Sequence, residues 1–171
     1  MPRLNKTELI FFVVATVAGS CLHFLYTFVP CIATGLVAPV RESLWEHVKL
    51  LYWPCLISGV LLHRKQPGML GQRAFALLAA TAGMLGIGYV YHICLQGDSI
   101  LVDIVLYVLM MALFFLLPHL LRQPLWQEYR ELLALLVLAL GVATMLFSFL
   151  PPQGLLFADL SGTPTWVTLP C

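Results

Sequence analysis

The sequence predicts an all-α integral membrane bundle of five transmembrane helices, and three observations carry that prediction. The first is composition: 61% of the residues are hydrophobic and 10% are charged, where a soluble domain carries about 25% charged residues. The second is a set of five apolar segments, each near the roughly 20 residues that a helix needs to cross a bilayer. The third is what separates them: turn formers and basic clusters such as His63-Arg64-Lys65-Gln66-Pro67-Gly68, Gln96-Gly97-Asp98-Ser99 and Pro151-Pro152. A chain of 171 residues holds five spans and little else. It therefore reads as one membrane domain, 1–171, whose chemistry falls to the helices and their loops. A net charge of +1 lacks the basic footprint of a nucleic-acid binder.

The first span covers about residues 9–30 after a short polar start, and its length marks it as retained rather than as a cleaved leader. A connection with Gly35 and Pro39 follows, since Pro39 pushes its predecessor out of helical geometry. The second span covers about 42–63 and contains Pro54, which is expected to kink it and widen a cavity. The third covers about 74–94 and carries Ala79/Gly83 and Ala82/Gly86, small pairs suited to close helix packing. The fourth covers about 100–121. Pro124 opens a short amphipathic piece, about 125–131, placed at the interface. The fifth span covers about 132–150, and a polar tail runs over 151–171. Five cysteines, Cys21, Cys31, Cys55, Cys94 and Cys171, follow no CxxC or zinc spacing. Cys21 and Cys55 read as buried small hydrophobes.

Lys and Arg distribute unevenly across these spans. Arg3, Lys6, Arg64, Lys65, Arg73, Arg122 and Arg130 fall on the side of the N-terminus, whereas Arg41 and Lys49 belong to the other side or to the second span itself. The positive-inside rule then places the N-terminus in the cytoplasm and the C-terminus outside a cell membrane.

The polar residues concentrate where an apolar chain can least accommodate them. Arg41-Glu42-Ser43-Leu44-Trp45-Glu46-His47-Val48-Lys49 opens the second span. At about 100° per residue, a helix beginning at Glu42 sets Glu42, Glu46 and Lys49 on one face, flanked by Trp45 and Trp53, with His47 turned toward another neighbour. His92 lies about one turn before the end of the third span and Asp103 about one turn into the fourth, with Tyr89 and Tyr107 a turn deeper. His23 lies at the depth of Lys49. Four helices thus each bring an ionisable group to one outer-leaflet layer. A charge at that depth costs about 2.5–3.5 kcal/mol, so these groups need partners, water or a ligand. One reading is a structural lock, with Glu46 and Lys49 neutralising each other and Glu42 favoured at the helix N-terminus. The other is a cavity in which Glu46, Lys49, His92 and Asp103 meet. His63 and His119, at the opposite ends of their spans, read as interfacial.

Gly19 with Leu22-His23-Phe24, Glu42-Ser43-x-Trp45-Glu46-His47-x-Lys49 followed by Pro54, and Pro151-Pro152-x-x-x-Leu156-Phe157-x-Asp159 together span nearly the whole chain. They resemble the pattern of a family of small bacterial multi-pass membrane proteins described as a domain of unknown function, with Arg41 standing where that pattern has asparagine and Gly162-Thr163-Pro164-Thr165 less regular than its usual ending. The resemblance implies a bacterial inner-membrane architecture and a site without an assigned activity. A more distant likeness, in size and outward polar residues, is to VanZ-like membrane proteins linked with lipid and envelope metabolism.

Three functions fit these residues. An enzyme acting on a lipid, a lipid-linked head group or a small anionic substrate would use Glu42 or Glu46 as general base and His47 or His92 as acid, with Asp103 beside them. Arg41 and Lys49 would hold a phosphate, and Trp45, His23, Tyr89 and Tyr107 would complete the binding surface. In a metal-dependent form, His23, His47, His92, Glu46 and Asp103 are the ligand candidates for a divalent ion, imidazole plus carboxylate suiting zinc, manganese or iron. A non-catalytic accessory or binding protein would dock a partner on the same layer, and a small transporter or proton conduit would use it as a relay.

Overall fold

A computed structural model describes residues 5–121 and 125–161; Cys171, the residues 162–165 and Arg122 lie outside them. Asn5 starts helix α1, Lys6–Phe28, through a capping box: its side-chain oxygen accepts the Glu8 N–H at 2.8 Å, and the Glu8 carboxylate accepts the Asn5 N–H at 3.2 Å. Each bond satisfies an end group that has no partner within the helix. The connection that follows contains a short helix, α2, Ile32–Val37, where the sequence suggests only a link.

Helix α3, Leu44–His63, begins at Ser43, whose hydroxyl accepts the Glu46 N–H at 3.3 Å. Glu42 therefore precedes the helix. Helix α4, Leu70–Tyr89, is preceded by a 3-10 turn at Pro67–Met69 and runs on into a π-helical turn, Val90–Cys94. It starts four residues ahead of the expected position. Helix α5 is Ile100–Leu120, the interfacial piece is the short α6, Leu125–Glu128, and α7 is Arg130–Phe149. A 3-10 turn, Leu155–Phe157, folds the tail back onto α3.

Helix α3 is the centre of the bundle and packs against α1, α4, α5 and α7. Val48, Leu51, Tyr52 and Cys55 are fully enclosed, with Met111, Phe114 and Phe115 of α5 beside them. The Tyr52 hydroxyl donates to the Val137 carbonyl at 2.8 Å, over Gly141, where any side chain would collide with the ring. Cys55 lies 3.4 Å from the Met111 sulfur, but Cys21 is exposed on α1, contrary to the expectation that both are buried.

The outer surface is apolar. Leu9, Val13 and Val17 of α1, Leu101, Val105 and Leu109 of α5, and Leu135, Leu138 and Val142 of α7 all point outward, as a lipid-facing surface requires. Among the described residues, four helical stretches have the length and apolarity to cross a membrane: Lys6–Phe28, Pro67–Cys94, Ile100–Leu120 and Arg130–Phe149. Helix α3 has the length but not the apolar average, because Glu46, His47 and Lys49 occupy its first turns. The other helices surround α3 and bury Glu46 and Lys49.

Pro54 has no N–H, so the Leu50 carbonyl four residues back loses its helical partner. Gly19 of α1 lies against that carbonyl and against the Tyr107 hydroxyl, leaving no room for a Cβ. The proline also borders an apolar hollow of about 310 Å³ lined by Ala18, Leu22, Val37, Trp53, Pro54 and Ile57. This hollow holds none of the ionisable groups.

A candidate functional site between four helices

Polar side chains gather at the two ends of the bundle. At the end bearing the N-terminus, the Glu8 carboxylate accepts Arg73 Nη2 at 3.2 Å and lies 3.0 Å from His119 Nε2. Arg73 also donates to the Gln66 side-chain oxygen. Glu8 and Arg73 are buried. His119 is thus part of an internal network rather than simply interfacial. The Asn5-x-x-Glu8 capping pattern is a signal for Glu8 in the sequence; its second role, toward α4 and α5, depends on tertiary packing.

At the opposite end, α1, α3, α4 with its π turn, and α5 enclose a cavity of about 950 Å³. His23, Glu42, His47, His92, Asp103 and Tyr107 line it. Phe24, Leu44, Leu50, Met84 and Ile104 supply apolar walls, and Leu160 and Ser161 of the tail close one side. The tail is fixed there by the Leu160 N–H, which donates to the Glu42 carbonyl at 2.8 Å. The sequence places Glu42, His23, His47, His92 and Asp103 at this depth and Tyr107 a turn deeper, whereas Ser20, Gln96 and the two tail residues carry no such signal.

Two histidine–carboxylate pairs face the cavity, and they are built alike. His47 Nδ1 lies 2.8 Å from the Ser43 carbonyl, and its Nε2 lies 3.2 Å from Glu42 Oε2. His92 Nδ1 lies 2.8 Å from the Gly97 carbonyl, and its Nε2 lies 2.8 Å from Asp103 Oδ1. A carbonyl can only accept, so each Nδ1 donates to it, and each Nε2 faces a carboxylate, to which it donates when the ring is protonated. Glu42, outside the spanning segments and half-exposed, has its pKa lowered by the His47 hydrogen bond, with burial opposing.

The π turn explains the position of His92. The Leu95 N–H reaches back to the Val90 carbonyl and the Gly97 N–H to the Tyr91 carbonyl, both at 2.9 Å. Gln96 adopts the left-handed conformation with φ of 53°, an unfavourable one for a residue with a side chain. This widened end folds the Gly97 carbonyl over His92. Such π turns recur at functional sites.

The expected meeting of Glu46 and Lys49 with His92 and Asp103 does not occur. Glu46 and Lys49 do not line the cavity. Lys49 Nζ donates to Glu46 Oε2 at 2.9 Å, to the Gly35 carbonyl at 2.6 Å and to the Ala38 carbonyl at 3.1 Å. Glu46 Oε2 also accepts the Val40 N–H at 2.9 Å. The pair ties α2 and the following link onto α3. The helical-wheel argument fails because it starts the helix at Glu42. Since Ser43 is the cap, Glu42 is free of the helical period and turns to His47 while Glu46 turns inward.

The other binding candidates separate in the same way. Arg41 is buried and donates to the Ser148 carbonyl at 3.0 Å, capping the end of α7. Neither Arg41 nor Lys49 is directed at a phosphate in the cavity. Trp45 packs against Phe147 and Phe157, with ring centroids 5.5 and 5.2 Å away, and so anchors the tail. Tyr89 is half-buried and does not line the cavity. Tyr107 lines it but donates its hydroxyl to the Thr16 carbonyl at 2.9 Å.

Of the five metal-ligand candidates, His23 and His47 stand together, with ring centroids 5.3 Å apart. Glu46 is replaced by Glu42: one donor atom from each of His23, Glu42 and His47 lies within 4.8 Å of the others. His92 and Asp103 are engaged with each other and form no part of that group.

The motif residues of the sequence thus have identifiable places: Gly19 and Pro54 at the α1–α3 contact, His23, Glu42 and His47 at the cavity, Trp45 and Phe157 at the tail. A family profile spanning this arrangement matches the chain over residues 1–163. The chain belongs to the family of unknown function DUF6512. No curated protein and no solved structure matches this chain, so the distant likeness to VanZ-like proteins has no support from them.

Proposed function

We propose that this protein is a five-span bacterial cell-membrane protein whose cavity opens at the outer leaflet and acts on a lipid or lipid-linked head group. The observation that carries the reading is the make-up of the cavity. Ionisable groups from four elements, His23, Glu42, His47, His92 and Asp103, share about 950 Å³ with Phe24, Leu44, Leu50, Met84 and Ile104. This volume is at the upper end of the range for small-molecule sites, about 300–1,000 Å³. A polar floor with apolar walls is suited to an amphiphile. The orientation rests on the Lys and Arg asymmetry, and α3 counts as a fifth span because its charges are enclosed by the other helices.

Chemically, each dyad offers a proton-transfer site. The carbonyl at Nδ1 fixes the ring, and Nε2 with its carboxylate can take or give a proton at a head-group oxygen or a water. A conduit is less well supported. On α1, the fifteen residue steps from Glu8 to His23 span about 22 Å, and Phe12, Phe115, Cys55 and Met111 fill the bundle interior.

The test is native mass spectrometry of the protein from nanodiscs holding phosphatidylglycerol and phosphatidylcholine, followed by analysis of lipid products. Wild type should retain the anionic lipid, and Met84→Trp, which fills the cavity, should lose it. Equal retention by Met84→Trp, or no retained lipid in wild type, would reject the reading.

A further inference from the structure

The cavity contains no lysine or arginine among its lining residues. An anionic head group would meet Glu42, Asp98 and Asp103 there, with only imidazoles to offset them. Positive charge has to come from elsewhere, and one corner of the cavity is arranged to hold it.

His23 comes from α1, His47 from the first turn of α3, and Glu42 from the residue before its cap. Their donor atoms all lie within 4.8 Å of one another. Ligands at about 2.0–2.2 Å from a tetrahedral first-row divalent ion sit about 3.3–3.6 Å apart. The set therefore needs to close by about 1–1.5 Å at its widest, a side-chain adjustment to which the half-exposed Glu42 can contribute.

Two further features point to an ion. The Ser43 carbonyl holds His47 Nδ1 at 2.8 Å, the outer-shell contact that orients a metal-binding histidine and leaves Nε2 to exchange its proton for an ion. Meanwhile His23 Nδ1 is buried with no hydrogen-bond partner among the described residues. The three side chains thus bring two imidazoles and a carboxylate together, a combination that a cation satisfies at once.

We propose that His23, Glu42 and His47 bind a divalent first-row transition-metal ion whose remaining coordination positions open into the cavity. Two imidazoles and one carboxylate without a thiolate suit zinc, manganese or ferrous iron. Three protein ligands leave the open position that distinguishes a reactive site from a structural one. The ion would supply the positive charge for an anionic head group and polarise its oxygen or a bound water. That last role rests on the head-group reading, whereas binding of the ion does not.

The test uses the full-length, tag-free protein in detergent, stripped with chelator and titrated with cobalt(II), zinc(II) and manganese(II). Cobalt should give visible d–d absorption, and elemental analysis after desalting should find one ion per chain. Glu42→Gln, His47→Ala and His23→Ala should each weaken binding at least about tenfold, the scale on which even outer-shell partners act. His92→Ala and Asp103→Asn should keep it. Helical circular dichroism checks the fold, and Glu42→Gln decides the matter if the histidine variants do not fold, because Glu42 is the most exposed of the three. No stoichiometric binding of any of the three ions in wild type, undiminished binding in Glu42→Gln, or equal loss in Asp103→Asn would overturn the site. Lipid retention is measured separately, so a failed metal titration leaves the head-group reading to its own experiment.

Discussion

Nε2 of His47 lies 3.2 Å from Oε2 of Glu42, whereas Glu46, four residues further on, turns away into contact with Lys49. Two glutamates close in sequence thus have different work. The dividing residue is Ser43: as N-cap it ends the irregular segment that carries Glu42 and starts the helix that buries Glu46. A substitution at either glutamate reports on only one of the two arrangements.

Glu42 makes the protein acid-sensitive in a defined direction. Its folded-state pKa is lowered by the His47 hydrogen bond. Its contribution is therefore complete above the ordinary carboxylate pKa and is lost as pH falls through the lowered folded value. In chelator, the apparent melting temperature of wild type should fall on acidification through that window, and Glu42→Gln should flatten this part of the curve. An unchanged acid slope in Glu42→Gln would assign the sensitivity to other groups.

Gly19→Ala should destabilise the bundle by about 1–3 kcal/mol, the usual range for overpacking. The added methyl would meet the Leu50 carbonyl and the Tyr107 hydroxyl. Tyr107→Phe removes only the second obstacle, so it should not restore Gly19→Ala to wild-type stability. Full recovery in the double variant, read by thermal scanning in detergent, would mean that the backbone contact matters little.

The helical class is legible because apolar segments of membrane length leave few alternatives, and the layer of His23, His47, His92 and Asp103 is legible because antiparallel helices put those positions at one depth, with Tyr107 a turn deeper. Three features are not. The cap at Ser43 reassigned Glu42 and Glu46, and a wheel drawn one residue too early cannot detect that. The π turn at Val90–Cys94 breaks the period on which any placement of His92 depends. Arg41 caps a helix more than a hundred positions away, a tertiary contact with no local signal. Lys49 and Arg41 are drawn away from a phosphate role in part by backbone carbonyls, those of Gly35 and Ala38 for Lys49 and of Ser148 for Arg41, which carry no signal in the sequence.

Single-cysteine variants on a cysteine-free background test the membrane arrangement. Lys6, Lys65 and Gln153 are exposed at chain positions that bracket the long helices. With five spans and a cytoplasmic N-terminus, Gln153→Cys should react with an impermeant maleimide on intact cells, and Lys6→Cys and Lys65→Cys only after permeabilisation. Outside labelling at Lys65→Cys would mean that α3 does not cross.

The buried pair of α3 predicts a pattern of non-additivity. Lys49 is 0% and Glu46 1% exposed, so each single change strands a charge away from water. Glu46→Gln keeps an acceptor for the Val40 N–H but removes the negative partner of Lys49. Lys49→Met leaves the Glu46 carboxylate without its cation. Each should cost about 3–5 kcal/mol, the usual cost of breaking a buried ion pair from one side. The double variant removes both charges and should recover much of that loss. Recovery should be incomplete, because methionine also leaves the Gly35 and Ala38 carbonyls without the Lys49 ammonium. Thermal scans of the four detergent-purified proteins close the cycle. Simple addition of the two single losses would show that Glu46 and Lys49 act independently and that the link over residues 38–43 is held by other contacts.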